Sequence, residues 1–244
     1  MTHPASVPRD VFSVTPEGVA AVDHAITSRR SIRRFLPTEV PRASIEEILR
    51  VASRAPSGTN TQPWQVHVLT GQSRQGLVGK VLAASAASDV NERYTEPYDY
   101  YPTKWVSPFI DRRRKVGFDL YGLLGLGKDN KEGMKAQQAR NFCFFDAPVG
   151  LVFTINRIMG RGSLLDCGMF LQSLMVAARA RGLDTCPQAA WNQFQSIVID
   201  HIGLDPEQNM MICGMALGFA DPQATENTLL TDRESVSAFA IFCE

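Results

Sequence analysis

The stretch RRSIRRF, residues 29–35, sets four guanidinium groups and a hydroxyl within seven positions. Arginine offers a planar fork of donors that grips phosphate or carboxylate oxygens two at a time, and it keeps its charge at neutral pH. If the segment is extended, successive side chains point to opposite sides. Arg29, Ser31 and Arg33 then share one side, while Arg30 and Ile32 face the other. Two guanidiniums and a hydroxyl on one side match an extended anionic ligand. A solvated basic loop is the competing reading. The chain carries 25 Lys+Arg against 25 Asp+Glu, so no general basic character explains the cluster.

Two further stretches could approach a ligand. APSGTNTQPW (55–64) combines a helix breaker with small polar residues and ends in Pro63-Trp64, which fix where the next element begins. Within it Pro56, Ser57, Gly58 and Asn60 are the candidates. CPQAAW (186–191) follows a short apolar segment and offers Pro187, Gln188 and Ala189 at a turn.

Other chemistry finds little support. The five cysteines (143, 167, 186, 213 and 243) form no CxxC pair, so a disulfide framework and zinc are not expected, and a reducing cytoplasm is. No HExxH occurs among the four scattered histidines, and no metal site is predicted. GLLGLG (122–127) does not fit the GxGxxG dinucleotide fingerprint, and no strand precedes it. No catalytic triad or carboxylate pair emerges.

The elements that must position these residues follow from periodicity. A first helix is expected over about Ala20–Ser28, and a second opens at a Ser44–Glu47 capping box with Ile45, Ile48, Leu49 and Ala52 on one face. WQVHVLTG (64–71) alternates as a strand, and 72–88 reads as a helix. APVGLVFTIN (147–156) is a continuous apolar run, expected as a strand buried on both faces. A helix over 163–181 is expected to be buried. LDTCP is a short strand, about Trp191–Ile202 a helix, and MMICGMALGF (210–219) another buried strand. Helices and strands mingle without strict alternation, which predicts an α+β fold.

Residues 91–127 depart from this pattern. They are dense in aromatic rings and carry the basic run Arg112–Lys115, so they read as an insertion. Either its rings pack on one another at the surface, or it forms a lid over a flat substrate, with Tyr98, Trp105, Phe109 and Tyr121 as candidates. Arg112–Arg114 either attract an acidic aromatic substrate or form a solvated helix face. The predicted organisation is an arm at 1–19 and one domain at 20–244 interrupted by this insertion.

The totals agree with one globular domain. An apolar fraction of 44% and a charged fraction of 20% are ordinary for a soluble protein. Zero net charge argues against bulk nucleic-acid binding. No apolar stretch approaches the roughly 20 residues of a membrane span, and the N-terminus lacks the pattern of a secretory signal.

Taken together, RRSIRRF, APSGTNTQPW and CPQAAW resemble the nitroreductase family of FMN-dependent oxidoreductases, from about residue 20 to the end. The resemblance implies a central antiparallel or mixed sheet surrounded by helices, in an intertwined homodimer with two sites at its interface. It implies FMN as cofactor and NADH or NADPH as a donor that binds transiently and leaves before the acceptor enters. By the same resemblance Arg29 would meet the flavin phosphate and ribityl chain, assisted by Arg30 and Ser31. Arg33 would lie at the pyrimidine edge, where a fixed guanidinium stabilises charge in the reduced flavin. Pro56, Ser57, Gly58 and Asn60 would approach from the other subunit, and Pro187–Ala189 would lie near the reactive nitrogen. Arg233 matches one of two basic residues that usually finish the phosphate pocket, but Leu230 stands where the other is often basic. The chain looks most similar to the nitrobenzoate-reductase-like branch, which implies a small aromatic acceptor. Relatives of this fold also reduce alkenes, remove halogens or fragment flavin, and a flavin-binding protein without turnover is a further alternative.

Overall fold

The computed structural model describes residues 13–244. Helix α1 (Pro16–Ser28) starts before the expected Ala20, because the Thr15 hydroxyl accepts a hydrogen bond from Gly18 N at 3.1 Å and Pro16 takes the first turn. Proline is suited to that turn, where its missing N–H has no helical partner to lose. Most of the expected arm, residues 1–12, lies outside the described residues.

Helix α2 (Arg42–Ala52) also starts early. Pro41 is its cap, and Ser44 lies inside the first turn with its N–H bonded to Pro41 O at 2.9 Å, so the expected capping box does not form. The apolar face is as expected, with Ile45, Ile48 and Ala52 buried.

Next come β1 (Trp64–Leu69), α3 (Gly71–Ser85), the short α4 (Val90–Arg93), α5 (Phe109–Leu123) and α6 (Lys131–Ala139). The second half holds β2 (Val149–Asn156), α7 (Gly162–Arg179), β3 (Asp184–Gln188), α8 (Gln195–His201), β4 (Asn209–Gly218) and the one-turn α9 (Val236–Phe239). This is an α+β arrangement.

The four strands form one sheet in the order β1-β2-β4-β3, and every neighbouring pair is antiparallel. A parallel bridge from Ser31 to Thr185 adds the arginine segment beyond β3, which gives the edge a mixed character. β2 is buried on both faces, as its unbroken apolar run predicts. Leu151, Phe153 and Ile155 join the core beneath α2 and α7, while Val152 joins the opposite core with Phe144, Trp191 and Phe194. Burying each large apolar side chain contributes about 1.5–3 kcal/mol.

Two expectations need correction. α7 is buried on one face only within the chain: Phe170 and Leu174 are in the core, but Leu165 is 69% exposed. The helix expected over Trp191–Ile202 divides into a 3-10 turn (Ala189–Phe194) and α8. Asn192 causes the break, because its buried amide donates to Ile212 O at 3.0 Å and to the Tyr98 hydroxyl at 3.1 Å. Those long-range bonds outweigh the local helical pattern.

Candidate functional site

Beyond α1 the chain runs extended along β3. Ile32 N donates to Thr185 O at 3.1 Å, and Ile32 is buried at 2% exposure. Further along, Phe35 N donates to Phe145 O and Leu36 N to Phe219 O. Arg29, Ser31 and Arg33 are half-buried, while Ile32 is buried in the core. Arg30 is exposed and donates to Asn227 O at 3.1 Å.

The positive charge on this side is not neutralised by the protein. Arg34 pairs with Asp146 and Glu226, Arg140 with the same two acids, and Arg179 with Asp184. Among the described residues, Arg29, Arg33 and Arg233 have no such carboxylate. Among the described residues the Arg33 guanidinium donates only to Ser31 O, at 3.1 Å, and that of Arg233 only to its own turn at Thr231 and Asp232. Burial lowers the pKa of Arg29, and the like charge of Arg233 nearby lowers it further. A half-buried guanidinium and an exposed one in mutual repulsion are the electrostatic outline of an anion site.

β3 forms the floor. Cys186 is buried, and burial pushes its thiol up to about 11 against the pull of Arg33, Ser31 and Arg29, so it stays protonated beneath them. The turn expected at Pro187–Ala189 does not form as such: Pro187 and Gln188 end β3, paired with Met215 and Gly214, and only Ala189 opens the 3-10 turn that follows. Pro187 is exposed and Gln188 is buried. Gln188 Nε2 donates to Asn141 O at 2.7 Å, and its Oε1 has no partner among the described residues. Ala189 is half-buried. The 3-10 turn Ala189–Phe194 can lie close to the sheet because Gly214 has no side chain: a Cβ there would meet the Trp191 ring at 2.5 Å.

The 55–64 loop is fixed elsewhere on the chain. Ser57 Oγ accepts from Gln62 N at 2.9 Å, and Gly58 N donates to Asp166 Oδ1 on α7 at 3.3 Å. Thr59, Asn60 and Gln62 hold left-handed backbone at φ 49°, 60° and 47°, a costly conformation for side-chain-bearing residues. Trp64 stacks on Phe170 with ring centroids 4.7 Å apart, which pins the loop's exit. Pro56, Gly58 and Asn60 are exposed, and the loop's hydrogen bonds run within itself and to α7, not to the arginine segment.

The four aromatic candidates of the insertion separate. Tyr98 is tied to the sheet, donating to Ile212 O, and it lines a cavity of about 260 Å³ together with Pro187, Gln188 and Ala189. Burial pushes its hydroxyl up to about 12. Trp105 and Phe109 stand near arginines instead, and Tyr121 lines a different cavity on α5.

The match to the Nitroreductase family model spans residues 26–219. The chain belongs to this family. Its arginine segment and Pro187–Ala189 stretch both fall within the matched span. The 4-nitrobenzoate reductase of Pseudomonas putida is 42% identical over 220 residues, covering 90% of this chain and 94% of that protein. The nitrobenzene nitroreductase of Ectopseudomonas oleovorans is 34% identical over 221 residues, covering 91% and 96%. Among solved structures, the FMN and NADPH-dependent nitroreductase NfnB from Sphigopyxis sp. strain HMH superposes with a TM-score of 0.88 at 36% identity, covering 91% of this chain and 99% of that one.

The nitroreductase sequence motifs do not reveal what holds the arginine segment. Asn227 Oδ1 accepts from Arg33 N at 2.8 Å and Arg34 N at 3.2 Å, while its Nδ2 donates to Arg34 O and Asp221 O. This buried amide clamps the peptide on which the guanidiniums stand. It lies in a stretch without periodicity, ATENT, that carries no local signal.

Proposed function

We propose that this protein is an FMN-dependent oxidoreductase that takes electrons from NADPH or NADH and passes them to nitroaromatic acceptors. The observation that carries the reading is the set of guanidiniums at Arg29, Arg33 and Arg233, left without carboxylates among the described residues, with Arg29 and Arg33 beside Cys186 of β3. Such a set suits a ligand with an anionic tail and a ring that becomes electron-rich. The relatives' names give the acceptor class and the donor.

The residues divide the work. Arg29 and Arg233 would hold the phosphate, with Ser31 and Arg30 steadying the adjoining chain. Leu230 is 71% exposed and brings no charge, so those two guanidiniums carry the load. Arg33 would face the pyrimidine edge and favour the negative charge that reduction places there. Asn227 fixes the backbone of that segment, so the cations need not reorganise. Bound FMN supplies two-electron exchange between nicotinamide and acceptor. Tyr98 and the Pro187–Ala189 stretch would limit water at the ring.

The active form is a homodimer on this reading. Val19, Val22 and Ile26 form an exposed apolar stripe on α1, and Phe239, Ile241 and Phe242 leave the C-terminal tail uncovered. Strand β1 is a sheet edge with Val68 exposed beside an open groove of about 1130 Å³. Surfaces of this kind ask for a partner, and the Ser57–Asn60 loop would then serve the partner's flavin. Five free thiols suit the cytoplasm. No helix among the described residues is long and apolar enough to cross a membrane.

Anaerobic titration tests the reading. NADPH or NADH should bleach the yellow protein, and a nitroaromatic should restore the colour. A bound flavin that neither donor bleaches would leave a flavin-binding protein without this activity.

A further inference from the structure

Among the described residues the most buried carboxylate is that of Glu226, in the 3-10 turn Thr225–Thr228, at 5% exposure. A carboxylate taken out of water is costly unless cations meet it. Two do. Arg140 approaches its Oε1 at 2.6 Å and Arg34 the same oxygen at 3.5 Å. Both guanidiniums also reach Asp146 Oδ2, at 3.0 Å and 2.9 Å. The four charges close into a neutral ring. It joins three distant parts of the chain: the arginine segment, the 3-10 stretch Arg140–Asp146 and the turn after β4.

Each arm of the ring bears on the arginine segment. Glu226 is followed by Asn227, whose Oδ1 accepts from Arg33 N and Arg34 N and whose backbone oxygen accepts from Arg30. Asp146 ends a run of three left-handed residues, Phe144, Phe145 and Asp146, at φ 52°, 51° and 70°. Such backbone persists only where its surroundings over-determine it. Within that run Phe145 O accepts from Phe35 N at 3.1 Å. The ring also sorts the arginines. Arg34 is taken up by acids and Arg30 by Asn227, whereas Arg33 keeps a guanidinium without a carboxylate among the described residues.

We propose that Glu226 is a positioning residue for the flavin, a role that rests on the FMN reading. Its carboxylate withholds Arg34 from the anion site. With Arg140 and Asp146 it fixes the turn from which Asn227 sets the direction of Arg33. It acts through the geometry of the segment and not through its own charge at the flavin. The two effects have opposite signs. Removing a nearby negative charge would by itself tighten an anionic ligand and favour the reduced ring, whereas a loosened segment weakens both.

Glu226→Gln tests this, because glutamine keeps the size and an acceptor oxygen but not the charge. In the flavin-free full-length protein the amides of Arg33 and Arg34 should exchange with deuterium about tenfold faster. The amide of Ile32, held by Thr185 O, should not change. With FMN, the variant should bind oxidised flavin about threefold and reduced flavin about tenfold more weakly, which makes the potential more negative by about 15 mV. A residue that only braces the fold would lower both affinities equally and leave the potential in place. Arg34→Gln, at an exposed position, should leave flavin affinity and potential as they are. Unchanged exchange at Arg33 and Arg34, an unchanged potential, or tighter FMN binding in Glu226→Gln would overturn the proposal. So would loss of flavin in Arg34→Gln. A wild-type protein that binds no FMN would remove the flavin reading itself, leaving the exchange at Arg33 and Arg34 to confirm or overturn the hold of Glu226 on the segment.

Discussion

The chain has two arginine-rich runs of similar length, and the fold treats them differently. RRSIRR is laid along β3, locked at Ile32 and Phe35, and clamped by Asn227, so its spare guanidiniums stand on a rigid base. RRRK rides on a helix with no buried residue, its outer members bound to acids and Arg113 resting on the Trp105 and Tyr101 rings. Rigid support suits a ligand that stays, because a preorganised site pays little on binding. An exposed helix suits a ligand that comes and goes. A run of arginines therefore says only that an anion is expected; the backbone beneath it says for how long.

The largest effect that separates the two runs should come from Arg29→Glu. It replaces an attraction to phosphate by repulsion and should weaken FMN by about 100-fold or more, read as a mostly colourless preparation. Full flavin occupancy in that variant would count against the phosphate assignment.

Next, Asn227→Ala leaves Arg33 N and Arg34 N without their acceptor inside a buried network. It should cost about 2 kcal/mol of stability and loosen FMN although no cation is removed. Unchanged melting and flavin affinity would mean that the segment holds its own shape.

Arg33→Ala should keep much of the flavin but make its potential more negative, since the lost cation stabilised the reduced ring. A shift on the order of 30 mV, equivalent to a tenfold change for two electrons, is expected. A potential indistinguishable from wild type would contradict the role.

Smallest of all, Arg112→Gln removes an exposed ion pair with Glu234. It should change stability by less than about 1 kcal/mol and leave FMN untouched; a loss of flavin would erase the distinction between the runs.

Much of the frame is legible in the sequence because burial writes a period. The apolar run at 149–156 announces a strand covered on both faces, and the spacing of Ile45, Ile48 and Ala52 marks the inner face of α2. The burial of Ile32 is also legible, since an isoleucine between charged neighbours has only the core to face. Helix starts are less legible: α2 is capped at Pro41 ahead of Ser44, and α1 at Thr15 ahead of Ala20. Long-range bonds leave no local trace. Asn192 breaks a helix by reaching Ile212, and Asn227 holds the site from nearly two hundred residues away along the chain. The split fate of Arg112–Lys115 is equally invisible, because it depends on acids at 232 and 234 and on rings at 101 and 105.

The most direct measurement is the visible absorption spectrum of the purified protein, before and after soaking in excess FMN and removing what is unbound. The account predicts a yellow protein with stoichiometric flavin that resists washing, and loss of that colour in Arg29→Glu. A wild-type sample that remains colourless after the soak would contradict it.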